Sequence, residues 1–507
     1  MDDDVLLRAV RAELAQMRGE LAGQARTMVL LTGENDALRG QLGRVAGDNE
    51  VLRGQVTRLV AENVELRRRL TANSGNSHRP PSSDGYAKPA PRSRRERGER
   101  PSGGQPGHPG VTLRQVESAD EVVVHAPPVC TGCGGSLADA PVTSTEARQV
   151  FDLPPIALHV VEHRLQHRRC DCGAVTMADP PAGVNAPTQY GPGVRALACY
   201  LLAAQHLPLA RTAELLAQVV GAPVSQGTLA GWYADAADRL DPFLDVVTAG
   251  LTTAPVLGAD ETGARVAGKL AWIHVARTDT LTRYTVSDRR GVVAMGEAGV
   301  LPELSPDTVL VHDFWGPYWT FPVIHAVCGA HLGRELVAAA ELPGQAGWAD
   351  GLDQLLREIN VTTITARIVG GDTLAPDLLA SYRRRYDQLI TAGWTANPDH
   401  HPGGPPAGRR RRRPKHVNLL DRLDSHRDEV LRYAEDLRVP MTNNGSERDI
   451  RPVKIRLKIA GCLRSMTGAD AFCRLRSYLS TASKQGQSNL TVLRMLQDGN
   501  PWIPAIS

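Results

Sequence analysis

The sequence predicts a multidomain α/β protein that begins with a long coiled coil. Three observations carry this. Residues 7–70 repeat apolar side chains at alternating spacings of three and four. Residues 254–345 alternate short apolar runs with helix-like segments. Between them lie two close cysteine pairs in a Gly-rich setting.

In the N-terminal stretch, one heptad series runs Leu7, Leu14, Leu21, Met28, Asn35, Leu42, Asn49, Val56, Asn63, Leu70. The interleaved series runs Val10, Met17, Gln24, Leu31, Leu38, Val45, Leu52, Leu59, Leu66, and fifteen of these nineteen positions are apolar. Such a stripe is stable only when a partner helix covers it, so a coiled coil over 1–70 and a homo-oligomer are expected. A single long helix packed on the body is the alternative. Asn35, Asn49 and Asn63 favour a defined register at a cost in stability.

Residues 71–120 are rich in Pro, Gly, Ser and Arg and read as a basic linker. The cysteine pairs lie in a module over 121–186, beside β-like runs at Glu121–His125 and Leu158–Arg164. Residues 187–250 are helical in pattern. Within them, Arg211–Val220, a turn at Gly221–Val224 and a helix over Ser225–Ala236 resemble a helix-turn-helix, with Ser225 suited to the N-cap. Two packed helices without a DNA role are the alternative.

An α/β core is expected over 251–460, with a helical insertion at about 346–440. Its strands are Ala254–Ala259, Leu270–Arg277, Leu281–Ser287, Thr308–His312 and Ile324–Gly329, with helices near Gly291–Gly299 and from His331. Residues 461–507 form a basic, mainly helical end.

Composition narrows the function classes. The chain has 507 residues, 42% hydrophobic and 22% charged, which excludes a wholly disordered or fibrous chain. No apolar run reaches 18 residues, so no membrane span is expected. Met1-Asp2-Asp3-Asp4 is acidic and lacks an apolar stretch, so a cytoplasmic location is expected. The net charge of +3 hides an asymmetry: residues 451–494 carry nine basic and one acidic side chain, a pattern that suits a polyanionic partner such as nucleic acid.

Cys130 and Cys133 are spaced CxxC, and Cys170 and Cys172 are spaced CxC. In a reducing compartment, four thiolates beside flexible glycines suit a structural, tetrahedral Zn²⁺. Four separate thiols are the alternative. Asp260 and Asp313 each follow an apolar run, Val-Leu-Gly-Ala and Val-Leu-Val-His, and are read as strand-end carboxylates. Two carboxylates that converge without a basic partner repel unless a divalent cation lies between them. The third candidate is Glu447, which Asn444 could instead place in a helix capping box; Glu261 and Asp449 compete with it. Arg448, Arg451, Lys454 and Lys458 follow at near-helical spacing and suit a phosphate backbone, or a merely solvated face.

Taken in order, these residues resemble the transposases of the insertion sequence 66 family. The segments concerned are Pro80–Gly85, Gly103–Gly110, the cysteine pairs with Arg148–Pro154 between them, Gly258–Gly263, Val311–Tyr318, Cys328–Leu336 and the stretch from Thr442. The resemblance implies a ribonuclease-H-like core with a DDE triad, which by position is Asp260, Asp313 and Glu447. It implies Mg²⁺ (or Mn²⁺) at the triad, metal-dependent cleavage and strand transfer at element ends, target DNA, a nucleoid-associated protein and small accessory transposition proteins. A related nuclease that mobilises nothing, or a zinc-containing coiled-coil DNA-binding regulator, are the alternatives.

Overall fold

The computed structural model describes residues 3–71, 113–154, 156–400 and 413–506. The linker expected at 71–120 therefore lies mostly outside the described residues. The chain divides into two units, Met1–Arg92 and Ser93–Ser507.

The described part of the first unit is one helix, α1 (Asp3–Thr71). The heptad residues are solvent-exposed along it: Leu14, Leu21, Leu31, Leu38, Leu52 and Leu59 among them. A stripe of this length has no cover within the unit's described residues.

The second unit opens with the cysteine module. Its described strands are β1 (His167–Arg169) and β2 (Val175–Met177), an antiparallel hairpin. The strands expected at Glu121–His125 and Leu158–Arg164 do not form. Those apolar residues find no ladder partner, and a lone extended segment gains no backbone hydrogen bonds. The ties seen here are side-chain ones: Gln149 Nε2 donates to the Val116 carbonyl, and Gln149 Oε1 accepts from the Val116 N–H, both at 2.8 Å.

The helices α2 (Pro192–Ala203), α3 (Leu209–Leu215), α4 (Gln226–Asp238) and α5 (Asp241–Thr252) follow. Ser225 caps α4, its hydroxyl accepting from Thr228 N–H at 3.0 Å. Gly221 adopts φ 71° at the end of the preceding helical turn, a conformation that costs glycine little. A π-helical turn, Leu216–Val220, thus joins α3 to the Gly221 turn that precedes α4.

A five-stranded sheet is built from β3 (Val256–Val266), β4 (Lys269–Arg277), β5 (Thr282–Ser287), β6 (Val309–His312) and β7 (Ile324–Val327). Helix α6 (Val292–Glu297) stands between β5 and β6. The strand order is β5-β4-β3-β6-β7, with β3 antiparallel to β4 and parallel to β6. The first strand runs seven residues beyond its expected end at Ala259. The polar stretch Glu261–Arg265 reads as loop, but β4 pairs with it throughout, and the tight turn at Ala267 (φ 50°) and Gly268 (φ 78°) closes the hairpin.

After β7 come α7 (Gly329–Ala340), α8 (Ala346–Ile368), α9 (Pro376–Thr395), α10 (Lys415–Ser425) and α11 (Arg427–Glu435), then α12 (Asn444–Ala460), α13 (Met466–Lys484) and α14 (Asn489–Gln497). Strand alternation divides the sheet into two buried faces. Leu257, Ala259, Ala276 and Leu310 face a core shared with α2, α4, α5, α13 and α14. Val309, Val311 and Ala326 face α7 to α11, so the helices between 346 and 440 bury their apolar sides on the sheet. Ala264, Val266, Ile273 and Val275 meet Ile450 and Val453 of α12 on that same face. Among the described residues, no helix is long and apolar enough to cross a membrane.

Candidate active site

Asp260 and Asp313 are brought together by register. Gly258 pairs with Val311 across the parallel β3–β6 ladder. Two residues further along each chain, on the same face, stand Asp260 and Asp313. The parallel pairing stops before them, although β3 itself continues along β4. Asp260 is therefore mid-strand rather than at a strand end, while Asp313 directly follows β6.

Glu447 stands on the first turn of α12, near enough for its charge to act on Asp260. The segment before that helix is sewn to the sheet. Asn443 Nδ2 donates to the Ala259 carbonyl at 2.7 Å, Ser446 Oγ donates to Asn443 Oδ1 at 2.6 Å, and Asn443 N–H donates to the Cys328 thiol at 3.1 Å. Gly329 N–H donates to the Met441 carbonyl at 2.8 Å. Gly258 permits this approach: a Cβ there would lie 2.7 Å from Ser446 Oγ and 2.9 Å from Asn443 Oδ1. The capping box read from Asn444 and Glu447 is not what forms. Asn444 is already helical, and the cap residue Asn443 spends its side chain on β3 instead.

Asp260, Asp313 and Glu447 are each partly open to solvent. Asp260 accepts from the Glu261 N–H at 2.8 Å, and Asp313 accepts from the Trp315 N–H at 3.0 Å. Burial pushes the Asp260 carboxyl well above its usual range, and the charges of Glu261, Asp313 and Glu447 push it further. The Glu261 backbone N–H opposes them, and Lys454 on α12 attracts the Asp260 charge. A carboxylate in this setting suits a hard divalent cation in its donor chemistry. Ligating geometry is a separate matter. Among the described residues, no three His, Cys, Asp or Glu side chains are gathered closely enough to hold a metal ion.

The two competing acids are engaged elsewhere. Alternation along β3 sends Glu261 to the opposite face, where it accepts from Tyr318 OH at 2.6 Å and pairs with Arg290 at 2.6 Å. Arg290 lies between two indoles, 4.3 Å from the Trp272 ring and 3.9 Å from the Trp315 ring. Asp449 is a structural node: Lys484 Nζ approaches it at 2.7 Å and Arg277 at 3.4 Å, all three side chains being largely buried. Burial lowers the Lys484 amine to about 8, against the pull of Asp449. Asp449→Asn leaves two buried cations short of a counter-charge. It should lower unfolding stability by about 3 kcal/mol, as measured by urea titration.

Of the five basic residues on α12, Arg448, Arg451 and Lys458 are exposed, and Lys454 and Arg456 are partly buried. Lys454 is half-buried: burial lowers its amine, and the nearby Asp260 charge partly restores it. Sequence reasoning missed Arg334 on α7, which stands 3.8 Å from Glu447, and the Tyr318–Glu261–Arg290 set. Arg334 falls six residues after the β7-to-α7 junction, where nothing local marks its partner 113 positions away.

In the cysteine module each pair forms its own turn. Cys130 N–H donates to Gly135 carbonyl and Gly134 N–H to Cys130 carbonyl, both at 2.9 Å. Cys170 N–H donates to Ala174 carbonyl and Gly173 N–H to Cys170 carbonyl, also at 2.9 Å. Backbone N–H groups of Cys133 and Gly132 lower the Cys130 thiol, and that of Cys172 lowers Cys170, which favours the thiolate forms a metal needs. The donor set fits zinc, but the described geometry does not gather the four thiols at one point. Cys199, Cys328 and Cys473 are buried in the cores.

Comparison with known families agrees with this architecture. The family model described as transposase IS66 family matches residues 187–471. The zinc-finger binding domain of transposase IS66 matches 127–173, and a family of unknown function matches 13–114. The first match covers more than half of the chain, and the chain belongs to the IS66 transposase family. No curated protein matches it. Among solved structures, the cryoEM structure of a simian T-cell lymphotropic virus intasome in complex with PP2A regulatory subunit B56 gamma is 12% identical. The match covers 44% of this chain and 74% of that one with a TM-score of 0.12, too low to argue a shared fold.

Proposed function

We propose that this chain is a DDE-type DNA transposase whose triad is Asp260, Asp313 and Glu447. The observation that supports the reading is that the charges of Asp313 and Glu447, from separate parts of the sequence, both act on Asp260, with Asn443 tying the Glu447 helix to the strand of Asp260. The strand order, with three antiparallel strands followed by two parallel ones, supports a ribonuclease-H-like core.

Divalent cations (Mg²⁺ or Mn²⁺) held by these carboxylates would supply charge neutralisation and stabilise the attacking and leaving oxygens of an in-line displacement. The chain's own part is to position. Asp260 and Asp313 present oxygens from adjacent strands, and Glu447 presents its own from α12. Water attacks the phosphodiester at the element end, and the freed 3′-OH then attacks target DNA. Arg448, Arg451 and Lys458 are exposed on α12 beyond Glu447, with half-buried Lys454 nearer Asp260, and these cations would meet phosphates. The helix–turn–helix pair and the cysteine module add contacts to element ends. The exposed stripe of α1 pairs with a second copy and so holds two DNA ends together. Small accessory proteins assist, and the complex works at the nucleoid.

The test is incubation of the purified protein with DNA flanking its gene, with Mg²⁺ or EDTA, and mapping of cuts at nucleotide resolution. Mg²⁺-dependent 3′-OH ends at a repeat boundary are expected. Binding without cutting at any metal concentration contradicts the enzyme and favours a regulator.

Zinc at Cys130, Cys133, Cys170 and Cys172 predicts a local effect. Cys130→Ser should lose bound zinc and make residues 113–186 sensitive to trypsin, while the melting of the sheet core stays unchanged. Zinc content by atomic absorption together with limited proteolysis checks this. Full zinc retention in the variant contradicts the ligand set.

A further inference from the structure

A cavity of about 530 Å³ lies between α4 and the α12–α13 junction, away from the triad. Its volume falls in the range of small-ligand sites. His206, Tyr233, Arg456, Cys462 and Arg464 line it. His206 is 4% exposed and holds a left-handed backbone (φ 58°), a cost that non-glycine residues bear where surroundings enforce it. Its Nδ1 has no hydrogen-bond partner. Burial, reinforced by the charges of Arg476 and Arg456, lowers the ring to about 4, so it is neutral at pH 7 and offers one donor and one acceptor. Arg456 is held over the Phe472 ring at 5.6 Å and donates to the Gly461 carbonyl at 3.1 Å. Arg464 is exposed at the rim, next to Ser465, which caps α13 by accepting from Gly468 N–H at 3.0 Å.

We propose that this cavity binds one nucleotide unit, taking the base inside and its phosphate at Arg456 and Arg464. A flat, half-buried phenol, a neutral imidazole and two guanidiniums are the groups that such a ligand needs together. A metal ion or a plain anion would leave most of the apolar volume empty. Helix α12 links the two places. From Glu447 to Arg456 is nine residues, about 13 Å of helix, or on the order of four nucleotide steps of duplex DNA. An unpaired base near the cut end is the source this distance favours. The inference rests on the transposase reading for that source only; a free nucleotide presents the same chemistry.

Exposed Cys462 on the cavity wall reports occupancy without any need for cleavage. The full chain is alkylated with N-ethylmaleimide, and the Cys462 peptide is quantified by mass spectrometry, with an added isotope-labelled peptide as internal reference. The probes are deoxyadenosine monophosphate, a duplex with an unpaired 5′-phosphorylated end, the blunt duplex and inorganic phosphate. With ligand at about ten times its Kd, Cys462 labelling should slow about tenfold with the first two probes, by mass action. It should be unchanged with phosphate. Protection by the mononucleotide but not by the frayed duplex assigns the cavity to a free nucleotide. Ala234→Trp, which fills the cavity, and Arg464→Glu, which reverses charge at the rim, should each abolish protection while the circular dichroism spectrum is retained. Unprotected Cys462 with every nucleotide probe overturns the proposal. It leaves the transposase reading standing if DNA still shifts in a gel and is cut. Equal protection by phosphate alone also overturns it.

Discussion

Replacing Asp260 by Asn should abolish DNA cleavage and raise the melting temperature of the metal-free protein. The two effects share one cause. The Asp260 carboxyl is raised well above its usual range by burial, and Glu261, Asp313 and Glu447 add repulsion. Its folded value thus lies above its unfolded one, so the stability it contributes is present below the ordinary carboxyl range and is lost as pH rises through the folded value. At pH 7 without metal the charge therefore destabilises the fold. Asparagine removes that charge at nearly constant volume. Each kcal/mol relieved is worth about 2–4 °C in a domain of this size. Cleavage should fall because the proposed phosphoryl-transfer site loses a ligand; several kcal/mol of transition-state stabilisation corresponds to about a thousandfold or more. Calorimetry with EDTA and a cleavage assay with Mg²⁺ check both halves. A variant that cuts at the wild-type rate would falsify the assignment of Asp260.

The second large effect is expected at Asn443, which on the proposed reading positions Glu447 against Asp260. Its side chain joins Ala259, next to Asp260, to Ser446, next to Glu447. Asn443→Ala leaves the Ala259 carbonyl and the Ser446 hydroxyl short of partners in a buried setting, a loss of about 1–3 kcal/mol. It also frees the start of α12 from β3. Since a displacement of about 1 Å can cost about a hundredfold in rate, cleavage should fall by about that factor while end binding in a gel-shift assay is unchanged. Asn443→Asp keeps the acceptor for Ser446 but loses the donor to Ala259, so it should not restore the rate. A purely structural role would lower the melting temperature of both variants without separating rate from binding.

How much of this was legible in the sequence depends on the kind of signal. The five strands of the sheet and the helix after β7 were readable because apolar runs and turn residues are local features. Residues Glu261–Val266 were not, since their strand character comes from pairing with β4 rather than from their own composition. The apolar runs at Glu121–His125 and Leu158–Arg164 erred the other way: propensity without a partner strand made no ladder. The apolar runs before Asp260 and Asp313 marked the two strands, but only Asp313 follows a strand end, because β3 continues past Asp260 along β4. Glu447 could not be separated from a capping residue by spacing alone, because the Asn443–Ala259 bond spans 184 residues. Alternation along β3, once the strand is known, would have excluded Glu261. Nothing local foretold that Lys484 and Arg277 neutralise Asp449.

The central claim is that Asp260, Asp313 and Glu447 form one divalent-metal site that Glu261 does not join. Mn²⁺ binding followed by electron paramagnetic resonance, in the presence of element-end DNA, tests this most directly. The account predicts saturable binding in the wild type and in Glu261→Gln, and its loss in Asp260→Asn, Asp313→Asn and Glu447→Gln alike. Unaltered binding in Glu447→Gln, or loss confined to Glu261→Gln, would contradict it.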